Sequence, residues 1–168
     1  MFRRKSIAGI LVLVLLALLR MHFRSPERQS RREVREIAKS FAGFSVEKSS
    51  PEAPAPDFDR IGDLLADRIE VAVLDPGQAP VSRTVSRQDA LTWLSGTWAD
   101  ARVLSASIQD AAATVNERDL ALLTLSGDFS YTSVDRSATT TSGSRTLTLR
   151  LQRDPTVGWL VHAVIVTP

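Results

Sequence analysis

The C-terminal two-fifths of the chain is dominated by a period of two. Across Thr146–Arg153, Leu147, Leu149 and Leu151 alternate with Thr148, Arg150 and Gln152, which places apolar side chains on one face of a strand and polar ones on the other. Further strand signals occupy Val103–Thr114, Leu120–Tyr131 and Val157–Val166. The turn-forming segments Asn116–Asp119 (NERD) and Asp154-Pro155 separate them. Gly127 is expected to mark a bulge. Ser137–Ser144 (SATTTSGS) is low in complexity and reads as a mobile hairpin connection. These four strands form an antiparallel meander.

Helical spacing precedes the meander. Asp57 caps a helix whose apolar positions are Phe58, Ile61, Leu65 and Ile69. Ile69, Val71 and Val73 then alternate as a strand that ends at Asp75-Pro76-Gly77, and Val81–Val85 is a short second strand. Ser86 followed three residues later by Asp89 resembles a capping box. The helix it opens buries Leu91, Leu94 and Trp98, with Trp93 at its edge. Farther upstream, Ser25-Pro26-Glu27 starts a helix whose apolar stripe is Val34, Ile37, Ala38, Phe41 and Ala42, with Gly43 as its stop. Ser45–Pro56 carries three prolines and reads as loop. Helices, short strands, a helix and then a meander make an α+β order.

Charge divides the 168 residues into an appendage and one domain. Residues 1–35 carry +7 and the remainder −5, giving the overall +2. A mildly acidic body excludes a nucleic-acid partner, which needs a basic face. Arg3, Arg4 and Lys5 precede thirteen uncharged residues, Ile7–Leu19. No small-x-small cleavage pattern follows them, so an uncleaved anchor (residues 1–24) is expected, with a cleaved signal peptide as the alternative. Phe2 to Phe23 covers about 33 Å of helix, enough for a thin bilayer. Arg24, Arg28, Arg31, Arg32 and Arg35 then lie where anionic head groups would attract them. Residues 25–56 form a basic stalk and Pro-rich loop, whose part 33–44 joins the body, and 57–168 are the rest of the body. A single-pass protein of the cell membrane is expected, with the body outside the cytoplasm in preference to inside it.

The segments VSRQDALTWLSGTW (85–98), LALLTLSGDFSY (120–131) and SRTLTLRLQRDPTVGWLVHAV (144–164) resemble the nuclear transport factor 2-like superfamily. The resemblance covers residues 33–167. It implies helices packed on a curved antiparallel sheet in a cone, a fold that also houses polyketide cyclases and ketosteroid isomerases. Behind a single membrane span, it also resembles subunits of type IV secretion systems and Mce-associated proteins. Family enzymes place an acid or His inside the cone, opposite a Tyr or a protonated Asp. Family members commonly dimerise through the convex sheet face.

The residues supply little of that chemistry. Zero cysteines exclude thiolate chemistry, and two histidines, His22 and His162, exclude a multi-His metal cluster. No metal and no cofactor is expected. Unbroken strand parity puts Trp159, Val161, Ala163 and Ile165 towards the helices. It puts Leu160, His162, Val164 and Val166 on the convex face, as an apolar strip for a homodimer or another protein partner. Trp93, Trp98, Phe129, Tyr131 and Trp159 are candidates to line a pocket for a small apolar ligand, or else simply fill the cone. Asp128 and Tyr131 point to opposite faces, and Asp100 is read as a solvated acid at a helix end. The reading that follows is a membrane-tethered, non-catalytic interaction module. Its alternatives are a small-molecule isomerase, cyclase or dehydratase, or a carrier without turnover.

Overall fold

The computed structural model describes residues 34–35, 38–39, 41–116, 119–134 and 140–168. The expected anchor and Arg24, Arg28, Arg31 and Arg32 lie outside these residues. Arg35 is helical and exposed. No helix among the described residues is long and apolar enough to cross a membrane. Val34, Ala38 and Phe41, three of the expected stripe, are helical and buried against the body.

Seven strands form one sheet: β1 (Ser45–Lys48), β2 (Leu65–Val73), β3 (Val81–Ser86), β4 (Ala101–Asn116), β5 (Leu120–Ser133), β6 (Thr140–Asp154) and β7 (Gly158–Thr167). Their order is β1-β4-β5-β6-β7-β2-β3. The meander β4–β7 is antiparallel throughout, as its alternation predicts. The β2–β7 pair is parallel, a crossover that local pattern does not encode. Two helices, α1 (Phe58–Gly62) and α2 (Arg87–Asp100), contribute Ile61, Leu94 and Trp98 to the core on the sheet's inner face. The architecture is the α+β class expected.

Helix starts follow the capping residues. Asp57 accepts from the Arg60 N–H, and Ser86 Oγ accepts from the Asp89 N–H at 3.1 Å while donating to its carboxylate at 2.7 Å. The end of α1 differs from expectation. Leu65 and Ile69 belong to β2, because Leu65 pairs with Val161 and Ile69 with Val85. Spacing by four is also spacing by two twice, and sheet pairing decides between them. A second correction is β1: Ser45–Lys48, expected as loop, is an edge strand in register with Ser107–Leu104. Likewise Ser142–Ser144 of the expected mobile connection pair with Ser130–Asp128.

Three bulges redirect the alternation. At the start of β4, Ala101 faces Ser133 and Val103 faces Thr132, so Arg102 is the extra residue. In β4, Ile108 faces Gly127 and Asp110 faces Ser126, so Gln109 is the extra residue. In β7, Ala163 faces Arg150 and Val161 faces Leu151, so His162 is the extra residue. Beyond His162 the parity inverts. Val164 and Val166 are buried in the core, at 1% exposure each, and Ile165 points the other way, half-buried. The expected outward strip therefore keeps Leu160 and His162 and loses Val164 and Val166.

The turn from β6 into β7 is held by Asp154, whose Oδ1 accepts from the N–H groups of Thr156 (2.7 Å) and Val157 (3.0 Å). These bonds favour the carboxylate and lower its pKa from the ordinary value. A depressed folded-state pKa contributes stability above the unfolded pKa, which is lost as pH falls through the folded one. Asp154→Asn keeps an acceptor oxygen and removes the titration. Its urea midpoint is expected to fall less than that of the parent between pH 5 and pH 3, read from matched denaturation curves.

Candidate functional site

Four of the five expected pocket residues are buried in the inner core, all at most 7% exposed, but at two ends of it. Phe129 and Tyr131 of β5 lie at the Gly143 and Thr141 end of the sheet, with Trp98 on the last turn of α2, whereas Trp159 of β7 lies opposite Arg153 at the other end. Trp93 is half-buried at the margin of this core. Rows of Leu123, Leu149 and Val164, and of Leu125, Leu147 and Val166, continue the same face across the sheet.

One polar constellation borders this core. The Tyr131 hydroxyl donates to Asp100 Oδ2 at 2.5 Å, and Ser133 Oγ donates to the same carboxylate at 3.1 Å. Burial, and then the adjacent Asp100 carboxylate, push the Tyr131 pKa well above its ordinary value. Tyr131 is thus a neutral hydrogen-bond donor at physiological pH, and Asp100 is an exposed acceptor at the α2 C-terminus. The expected solvated acid is there, with two hydroxyl partners that spacing did not disclose.

Sequence reasoning missed Lys48. It is 1% exposed on β1, donates from Nζ to the Trp98 carbonyl at 2.5 Å, and sits 5.1 Å from the centroid of the Trp98 ring. Burial lowers its pKa. A cation here complements the converging carbonyls at the end of α2 and the face of the indole. The only available signal was a four-residue alternation, SVEK, beside a Pro-rich stretch. Tyr131 and Ser133 thus donate to Asp100, while Lys48 donates to the Trp98 carbonyl at the end of α2.

The other candidate acids and bases lie apart from this group. Asp128 is exposed and accepts from Ser144 Oγ and Gln109 Nε2. It faces away from Tyr131, as strand parity predicts. Among the described residues, no group of three His, Asp or Glu is placed to hold a metal ion. His162 and Leu160 are half-buried and line a groove of about 700 Å³, together with Arg68, Arg87 and Arg153.

A seven-stranded sheet with helices over one face and a β2–β7 crossover has solved counterparts. A protein of Novosphingobium aromaticivorans, provisionally named an aromatic ring hydroxylase, superposes with a TM-score of 0.52 at 13% identity, covering 67% of this chain and 74% of its own. A protein from Kribbella flavida gives 0.52 at 15% identity over 66% and 76% of the two chains. A nuclear transport factor 2-like protein with a cystatin-like fold, also from N. aromaticivorans, gives 0.49 at 20% identity over 82% and 80%. In fold, the chain is similar to the first two of these proteins. No family model matches it, and no curated protein does. At these identities the likeness describes the backbone alone, and the chemistry rests on the side chains above.

Proposed function

We propose that this chain is a membrane-tethered, non-catalytic module of nuclear transport factor 2-like fold that holds a protein partner, most simply a second copy of itself, on the outer face of its sheet. The observation that carries this reading is the division of labour between the two faces. Trp98, Phe129, Tyr131 and Trp159 are consumed by packing inside, while Leu122 and Ile165 stay half-buried outside, near Leu120 at 45% exposure. Register supports a continuous patch: Leu122 faces Arg150, which faces Ala163, and Thr124 and Thr148 lead across to Ile165. Leu160 and His162 form its border towards the groove. The tether is the apolar run Ile7–Leu19, with Arg24, Arg28, Arg31, Arg32 and Arg35 at the lipid surface and the body outside the cytoplasm.

Self-association is the test. Sedimentation of the full chain in density-matched neutral detergent is expected to show a dimer at tens of micromolar. Leu122→Glu combined with Ile165→Glu places two charges in a contact that cannot solvate them, and the variant is expected to sediment as a monomer. Its melting temperature should stay within a few degrees, since both side chains leave the core untouched. A parent chain that is monomeric at every concentration removes the second copy as partner.

The Asp100–Tyr131–Ser133 cluster favours a second reading, an isomerase, cyclase or dehydratase acting on a small apolar substrate. A neutral tyrosine donor could stabilise a developing oxyanion. Turnover abolished by Tyr131→Phe, with folding retained, would favour it over the interaction module.

A further inference from the structure

The groove beside Arg87 originates in the backbone. Between Leu65 and Glu70 the β2–β7 ladder is interrupted, and Ala66–Ile69 face only the bulge residue His162. The strand keeps its pairing with β3 there, Arg68 opposite Ser86, so β2 parts from β7 and not from the sheet. The opening is floored by Ala66, Val157 and Leu160 and edged by Arg68, Arg87 and Arg153. It lies outside the Trp-filled interior. At about 700 Å³ it falls in the range of small-molecule sites.

Its charges are unevenly satisfied. Both acids of the groove are engaged: Asp67 with Arg87 at 2.9 Å, and Asp154 with its own turn. Arg68 and Arg153 pair with no acid among the described residues. Arg87 uses Nη2 on Asp67, whereas its Nε is buried and lacks a hydrogen-bond partner. Buried donors without acceptors are exceptional. A guanidinium presents its donors as a fork that matches carboxylate or phosphate oxygens. The surplus of positive charge is local, since the body as a whole is acidic.

We propose that this groove binds a small organic anion, a carboxylate or phosphate head on a short apolar body. The head lies among Arg68, Arg87 and Arg153, where it accepts from the outer N–H groups of their guanidinium forks, and the body rests on Val157 and Leu160. The proposal is independent of the dimer reading, because its residues lie at the border of that patch. Two sources fit the chemistry: a soluble metabolite-sized anion, or the head group of an anionic lipid.

Calorimetric titration of the full chain in phosphatidylcholine nanodiscs, with hexyl phosphate, hexanoate and 1-hexanol as probes, tests it. One of the two anions is expected to bind saturably, one per chain, and 1-hexanol at least about tenfold more weakly. Arg87→Gln and Arg153→Gln are each expected to weaken the anion on the order of tenfold. Arg153 is exposed and its side chain makes no hydrogen bond or ion pair, so Arg153→Gln keeps the test valid if Arg87→Gln fails to fold. Nanodiscs of phosphatidylglycerol separate the sources: competition with the probe assigns the site to a lipid head group, and unchanged affinity assigns it to a soluble anion. No saturable binding by either anion overturns the proposal. So does equal binding of 1-hexanol, or affinity unmoved in a folded Arg153→Gln chain.

Discussion

Trp159→Ala is expected to cost the body about 3–5 kcal/mol, the usual range for truncating a buried aromatic. For a chain of this size that corresponds to a fall in melting temperature of roughly 6–20 °C. Trp159 follows Gly158, whose φ of 93° turns the chain into β7, and its ring is 6% exposed within the inner cluster. Alanine leaves a void in the inner core, and β7, tied to β6 on one side and to β2 on the other, cannot collapse to fill it. Trp159→Phe separates packing from polarity. The indole Nε1 is buried without a hydrogen-bond partner, and phenylalanine removes that unsatisfied donor while keeping most of the volume. Its cost is expected to stay below about 1.5 kcal/mol, as for volume-conserving swaps. Calorimetric melting of the three proteins checks both values. An unchanged melting temperature for Trp159→Ala would show that this side chain does not carry the core.

Gly127→Ala is expected to destabilise by about 3 kcal/mol, the upper end of the range for overpacking. A Cβ on Gly127 would stand 2.1 Å from the Ser107 carbonyl oxygen and 3.1 Å from Ile108 Cα. Both are backbone atoms, so no rotamer change relieves the clash and β4 itself must move. The cause of the close approach is the bulge at Gln109, which presses the β4 backbone towards β5. Deleting Gln109 offers a second arm. It restores regular alternation and still brings Ile108 and Ala111 to the same face. In that background Gly127→Ala is expected to cost less than half as much, a coupling that a double-mutant cycle in urea measures. Equal costs in the two backgrounds would detach the glycine from the bulge.

Both experiments concern features of unequal legibility. Gly127 was visible as a glycine in an otherwise alternating strand. Its partner Gln109 was not, because a bulge residue carries no composition of its own and exists only relative to the strand it faces. The same holds for His162. Counting by twos from Trp159 assigned Val164 and Val166 to the outer face, and one extra residue in β7 reversed both. Of the candidate site, the aromatic members were legible as large apolar side chains on strands and a helix. Their polar neighbours were less so: Asp100, Tyr131 and Ser133 meet because α2 runs directly into β4, and β4 lies beside β5.

The sequence by itself determined the α+β order, the antiparallel meander with its turn at Asp154, the caps of α1 and α2, and the division of charge between a basic first segment and an acidic body. These are local properties, written in spacing, capping side chains and charge within a few residues. Only the tertiary structure decided that Leu65 and Ile69 leave the helix for a strand, that Lys48 is buried over Trp98, and that β2 parts from β7 to leave three arginines around one groove. Each of these depends on which distant backbone supplies the hydrogen bonds. Residues that satisfy two local patterns equally are assigned by that pairing, because an unpaired buried N–H or C=O costs more than any difference in local propensity.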